Sequence, residues 1–393
     1  MKMSVGVMPA TIALLFAANV AFGQAASADR ADPGPLLARI NAVGRHGEGH
    51  RDAMAAWQAL SKYDAARLPA ILAGMKAKNL LAENWIRAAV EAIAERQESQ
   101  GNKLPQKELE QFLAQVRHAP RARRLAYELI LRGDPGAEQR LLSGLIDDPS
   151  LELRRDAVMA AFHAAEALEQ ADNKDAARNA YEKAFQSARD VDQIKLLADK
   201  LRKLEAAVDL PAHFGFVMDW HVIGPFENRG DVGYQQAYPP ESRVDLQESY
   251  VGQDNAKLAW IEHTTKDDFG LLDLNKLLGN HKGAVAYAFH EFVSDGPRTI
   301  EIRIGSTNAN KIWLNGQLLT ANHVYHAGRD IDQYVAEGQL KAGANQILVK
   351  ILQNEQTEPW AQDWQFQLRV CDAIGTPVYS AGRKSAATSV KGR

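Results

Sequence analysis

Apolar side chains recur every third or fourth residue over the first half of the chain and every second residue over the last third. Between about 35 and 208 the residues are rich in Ala and Leu and poor in strand formers. Ile86, Val90 and Ile93 fall at helical spacing, as do Leu197, Leu201 and Leu204. Breakers separate the periodic runs: Pro69, Gly101-Asn102, Pro105, Pro120, Asp134-Pro135-Gly136 and Asp148-Pro149. They predict about eight to ten helices joined by short turns. Paired helices of this kind bury their apolar faces only by stacking, so a small α-solenoid or helical bundle is expected.

The period changes after Asp209. Phe216 to Ile223 reads as a first strand, stopped at Gly224-Pro225. Further strands are expected at Lys257 to His263, Ala284 to Val293, Thr299 to Gly305, Lys311 to Leu314, Asn345 to Gln353 and Asp363 to Cys371. Ile300, Ile302 and Ile304 share one face, while Glu301 and Arg303 take the other. Asn315-Gly316 after Lys311-Ile312-Trp313-Leu314 marks a hairpin, because both residues tolerate positive φ. Glu227 to Ser242 reads as a long surface loop. In Trp364 to Val370 even positions are apolar, which puts Cys371 on the polar side.

Three parts of the chain carry family resemblances. Leu141 to Pro149 runs into Leu153-Arg154-Arg155-Asp156-Ala157-Val158 and resembles a HEAT repeat, in which Asp-Pro marks the turn and Arg and Ala-Val open the second helix. Ala176 to Ala188, with Tyr181 and Phe185, has a tetratricopeptide-like look. The run Trp220 to Phe226, the Trp313-Leu314-Asn315-Gly316 hairpin and the Leu340-x-x-Gly343-x-Asn345 strand resemble the galactose-binding-like jelly roll of carbohydrate-binding modules. The jelly-roll resemblance covers roughly residues 214–380 and implies a β-sandwich able to take a glycan. The whole chain looks like bacterial exported proteins that couple HEAT-type helices to such a sandwich.

Four regions follow: a signal peptide at 1–28, a helical HEAT-like domain at 29–208, the sandwich at 209–380 and a disordered tail at 381–393. Met1-Lys2, the apolar run Ala10 to Phe22 and the small residues of Ala21-Phe22-Gly23 or Ala26-Ser27-Ala28 give a secretory signal, and with it a periplasmic or extracellular address. The apolar run is too short to span a bilayer, so no transmembrane segment is expected after cleavage. A single cysteine among 393 residues excludes an internal disulfide and Cys-x-x-Cys-His haem attachment. A net charge of -3 gives no basis for nucleic-acid binding.

Candidate chemistry lies in two loops. Gln353 to Trp364 offers Trp360 as a flat face for a sugar ring and Gln356 as a hydroxyl partner. Trp364 fits a core position better, since it opens the next strand. Asn322 to Tyr334 adds Tyr325, His326, Arg329 and Tyr334 as ligand contacts. If the chain is extended there, Asp330 and Asp332 point the same way and reach a structural calcium, although two carboxylates are few for that ion. The competing reading is a solvated edge strand with an Arg-Asp pair. His46 and His50 have zincin-like spacing, but Gly47 and Gly49 argue for a turn instead of the helix that motif needs. Arg123-Arg124 and Arg154-Arg155 read as a solvated helical face, or as a groove for a protein partner. No Gly-x-Ser-x-Gly elbow, Walker loop or assignable acid pair is present, so a non-catalytic binding protein is expected. Its alternatives are a structural protein without a small ligand, or a carbohydrate-active enzyme.

Overall fold

The computed structural model describes residues 32–76, 79–328 and 330–381. The signal peptide, Arg329 and residues 382–393 of the expected tail lie outside the described residues. The protein is α plus β: helices fill the N-terminal half and antiparallel sheets the C-terminal half. It divides into two compact units between Ala167 and Leu168.

The first unit is helical. It contains α1 (Gly34–Asn41), α2 (His50–Leu60), α3 (Leu68–Leu72), α4 (Leu80–Ser99), α5 (Gln106–Leu113), α6 (Pro120–Gly133) and α7 (Ala137–Leu142), followed by α8 (Leu151–Gln170), within which the division falls. On α4, Ile86, Ala89, Val90 and Ile93 are all fully buried, as the helical period requires. They join Leu109 and Phe112 of α5 and Leu125, Leu129 and Ile130 of α6 in one core. His50 opens α2 behind the turn His46–Gly49, where His46, Gly47 and Gly49 all have positive φ. His50 lies edge-on to Trp85.

The arginine pairs correct the expectation of a solvated face. Arg123 and Arg154 are buried. Arg123 grips the Asp148 carboxylate at 2.5 and 2.6 Å, and Arg154 donates to the carbonyls of Asp148 and Asp147 at 2.8 and 2.9 Å. Both therefore serve the Asp148-Pro149 turn, whose exposed carbonyls have no helical partner. Arg124 stays at the surface with Glu128 and Asp156.

The second unit begins with α9 (Lys174–Ser187), α10 (Val191–Lys203) and α11 (Leu210–Phe214). With the eight before them, α9 and α10 make ten helices up to Lys203 among the described residues. Gly215 ends α11 at φ +78, and a Cβ there would meet the Val370 carbonyl at 2.8 Å, so only glycine fits.

Twelve strands follow among the described residues: β1 (Asp219–Glu227), β2 (Tyr250–Val251), β3 (Lys257–Leu258), β4 (Ile261–Thr264), β5 (Leu272–Asp273), β6 (Ala284–Ser294), β7 (Arg298–Ser306), β8 (Ala309–Leu314), β9 (Gln317–Asn322), β10 (Tyr334–Leu340), β11 (Gly343–Gln353) and β12 (Gln365–Cys371). A six-stranded sheet has the order β4-β1-β6-β11-β8-β9, and a four-stranded sheet the order β10-β7-β12-β5. Their inner faces share a core: Val222, Ala286, Ala288, Ile312, Val349 and Ile351 from one, Ile300, Ile302, Ile304, Phe366, Leu368 and Val370 from the other. Asn315 and Gly316, at φ +52 and +80, make the β8–β9 hairpin turn.

Five expectations need correction. β1 runs through Gly224-Pro225 to Glu227, bulging between Ile223 and Phe226. Lys257 to His263 breaks into β3 and β4; β9 is the return strand of the Asn315-Gly316 hairpin, while β2, β5 and β10 fall outside the expected strands, Gly338 blurring the alternation of β10. Glu227 to Ser242 is no open loop. With α12 (Val232–Gln235) and α13 (Pro239–Ser242), it covers the outer face of the six-stranded sheet. There Tyr234 and Tyr238 join Val285, Tyr287, Trp313 and Leu352 in a second core. Cys371 is fully buried, because Phe216 and Pro377 pair with β12 on its far side.

The cover also encloses Lys350. Its ammonium is fully buried, 2.7 Å from both Glu241 Oε1 and the Gln236 carbonyl, beside the rings of Tyr238 and Tyr287. Burial lowers its pKa, against the pull of Glu241. A buried ammonium persists only with such partners.

Candidate binding surface at the loop end of the sandwich

Three segments meet beside one end of the six-stranded sheet: the stretch after β1, the β9–β10 loop and the β11–β12 loop. Their centre is His326, held at φ +56. Its Nε2 is 3.0 Å from Asn354 Oδ1, and its ring meets Trp360 edge-on with centroids 5.1 Å apart. Asn354 in turn donates to Gln356 Oε1 at 2.8 Å. Trp360 is 62% exposed.

Local sequence explains why that indole stands out. Pro359 opens a one-turn helix, and Ala361 is fully buried, anchoring the backbone beneath it. Lys282 donates to the Ala361 carbonyl at 2.8 Å, and Gln362 to the carbonyls of Thr357 and Glu358 at 2.7 and 2.9 Å. A loop pinned this way presents its indole with little entropy left to lose on binding. Trp364, four residues on, is fully buried and donates to the Ile351 carbonyl.

A second shell of contacts continues from Tyr325. Its hydroxyl donates to Asp231 Oδ1 at 2.7 Å and accepts from Asn228 at 3.1 Å. Burial and the Asp231 carboxylate push this phenol upward from its ordinary pKa. Asp231 Oδ2 lies 2.6 Å from His323 Nε2, and the His323 ring stacks on Tyr234 at 3.8 Å. Asp231 is itself left-handed, at φ +62. Left-handed backbone at both Asp231 and His326 costs energy that the surrounding contacts must offset. Glu355 accepts from the Gly230 amide at 2.8 Å. Chemically, the surface combines a flat apolar face with amide and imidazole groups.

Of the residues expected as ligand contacts, Trp360, Tyr325, His326 and Gln356 fall in this cluster. Tyr334 does not: it starts β10, in the other sheet, and packs against the inter-sheet core. Arg329 lies outside the described residues. The extended geometry expected for Asp330 and Asp332 does not form, since Asp332 is left-handed at φ +64. Asp330 is exposed. The Asp332 carboxylate is already taken by Arg303 at 2.8 Å and Arg369 at 2.6 Å. Among the described residues, no group of three or more His, Cys, Asp or Glu side chains could hold a metal ion. Asp332 therefore anchors two guanidiniums, and Asp330 lies at the surface.

Sequence reasoning missed Asp231, His323 and Asn354 as members of the cluster. The two loops containing His323 and Asn354 stood out by composition. Asp231 lies 94 residues before Tyr325 and carries no local signal.

No family model and no curated protein matches the chain. Among solved structures it is similar to a β-glucosidase from Kluyveromyces marxianus in complex with glucose, at 15% identity over 28% of this chain and 14% of that one, TM-score 0.22. It is also similar to an anti-sigma factor domain-containing protein from Clostridium clariflavum, at 8% identity over 42% and 45%, TM-score 0.25. A third is a GH31 α-xylosidase from Xanthomonas citri, at 12% identity over 29% and 15%, TM-score 0.16. The chain spans less than half the length of each. Overlaps this partial say nothing of what it binds.

Proposed function

We propose that this chain is a non-catalytic exported binding protein whose sandwich takes a glycan at the Trp360 surface. One observation carries the reading: a 62% exposed indole on a pinned loop, beside His326, Asn354 and Gln356. Aromatic faces suit the apolar side of a sugar ring, and the amides suit its hydroxyls. Two packed antiparallel sheets and the Asn315-Gly316 hairpin agree with a galactose-binding-like jelly roll. The helical unit then serves a protein partner or the cell envelope. Arg123 and Arg154 clamping the Asp148-Pro149 turn agree with a HEAT-like unit. The amino-terminal pattern supports a periplasmic or extracellular address. Among the described residues, no helix is long and apolar enough to cross a membrane.

A second reading has its own support. Asp231 is spent on His323 and Tyr325, and Asn354 on His326 and Gln356, as in a loop end built for rigidity alone. The sandwich would then be a structural or protein-interaction domain. A glycan array with the full chain separates the two. Binding that is lost in Trp360→Ala and kept in Val251→Ala, an exposed control, supports the glycan site. An array silent for the unmodified chain overturns it.

A further inference from the structure

A cavity of about 260 Å³ opens in the helical unit, lined by Met75, Glu83, Arg87, Arg121, Arg124 and Glu152, among others. It is smaller than the roughly 300–1,000 Å³ that drug-sized ligands occupy, and suits a single side chain or a small ion. Glu83 is the unusual wall. It sits in the first turn of α4, its side chain is 2% exposed, and its Oε2 receives no hydrogen bond from the described residues. The Arg121 guanidinium stands 3.5 Å away and is half exposed. A buried carboxylate oxygen without a donor carries a substantial desolvation cost, which a cationic donor entering the cavity would relieve.

The arginines do not make this an anion site. Arg87 is spent on Glu91 and Glu128, each at 2.8 Å. Arg124 is spent on Glu128 and Asp156. The lining holds three guanidiniums and the two carboxylates of Glu83 and Glu152; Glu91, Glu128 and Asp156, outside the lining, take up the charge of Arg87 and Arg124. Met75 adds an apolar wall for an aliphatic stem.

We propose that this cavity binds an organic cation of the guanidinium or primary ammonium type, with Glu83 as its acceptor. The site belongs to the other unit and does not depend on the glycan surface. It rests on the partner-binding reading of the helical unit only for the source of the cation, which would be an arginine or lysine side chain of the partner.

Titration of the full chain with N-acetylarginine amide, followed by calorimetry or NMR, tests the site. N-acetylnorleucine amide and N-acetylglutamate amide are the neutral and anionic controls. Saturable binding of the cationic probe alone is expected. Glu83→Gln should weaken it about tenfold or more, since a charge-assisted contact is lost. Arg121→Ala should strengthen it, because a competing cation at an exposed position disappears. Arg121→Ala does not touch the core, so it remains informative if Glu83→Gln fails to fold. Preference for the anionic probe, or weaker cation binding in Arg121→Ala, overturns the proposal. An arginine peptide that binds no tighter than the amide keeps the cation site and removes its support for a protein partner.

Discussion

Arg369 closes on Asp332 across the open face of the four-stranded sheet, its Nε 2.6 Å from Asp332 Oδ1. Arg303, on the next strand, reaches the other oxygen at 2.8 Å. Burial alone would raise this carboxyl, but the two guanidiniums outweigh it and hold it below its ordinary pKa. Arg369 is only 3% exposed, so that carboxylate compensates its buried charge. Asp332→Ala should destabilise the protein by about 3–5 kcal/mol, the cost of orphaning a buried charge. Urea unfolding measures this. Millimolar calcium should leave the Tm of the unmodified protein unchanged, and a clear rise would support the metal-site reading.

Two tryptophans four residues apart should behave oppositely. Trp360→Ala removes an exposed ring and should change stability by no more than about 0.5 kcal/mol. Trp364→Ala empties a fully buried site and should cost about 3–5 kcal/mol. Denaturant midpoints compare them directly. Equal losses would mean that Trp360 is a structural residue.

The Arg123–Asp148 pair makes a sharper test of the helical unit. Its side chains are 1% and 4% exposed. Arg123→Ala should cost about 3–5 kcal/mol, because Asp148 is left charged and buried. Arg123→Met with Asp148→Leu should recover part of that loss, since no charge remains. The recovery stays partial because Asp148 also accepts from the Ser150 amide at 2.8 Å. A double-mutant cycle by chemical unfolding gives the coupling.

His213 predicts how stability responds to acid. It packs on Phe185, and its Nε2 donates to the Ala188 carbonyl at 3.0 Å. Burial first, then the nearby Arg189 and Arg369, lowers its pKa from 6.5 to about 4. The unfolded chain therefore binds a proton that the fold does not between those values. The contribution is fully present above about pH 6.5 and is lost as pH falls to 4, at most about 3 kcal/mol. His213→Gln should flatten the stability-versus-pH curve over that window. An unchanged slope would remove His213 as its source.

Cys371 should resist thiol reagents. Burial raises its pKa to about 11, despite Arg369 and Arg303 nearby, so thiolate is scarce at pH 8. Labelling with a disulfide reagent should be negligible in the folded protein and stoichiometric in denaturant. Rapid native labelling would show the β12 cover opening.

Much of the architecture was legible because it is local. Helical spacing at Ile86, Val90 and Ile93, alternation at Ile300, Ile302 and Ile304, and the positive-φ pair Asn315-Gly316 each act within a few residues. So does the pinning of Trp360, through Pro359 and Ala361. Side-chain period alone separates the helical half from the strands, since each period buries one face only in its own geometry.

Whether a polar side chain faces water was decided by what tertiary structure laid over it. Arg123, Arg154 and Cys371 occupy positions that pattern assigns to a surface, yet they are buried, as is the Lys350 side chain. In each case a segment distant in the chain, or a turn that needed donors, covers them. The pairing of Asp231 with His323 and Tyr325 arises in the same way, across more than 90 residues. Periodicity reports how a stretch divides its own faces. Only the folded chain specifies which of those faces meets another and so must find a partner for every charge it buries.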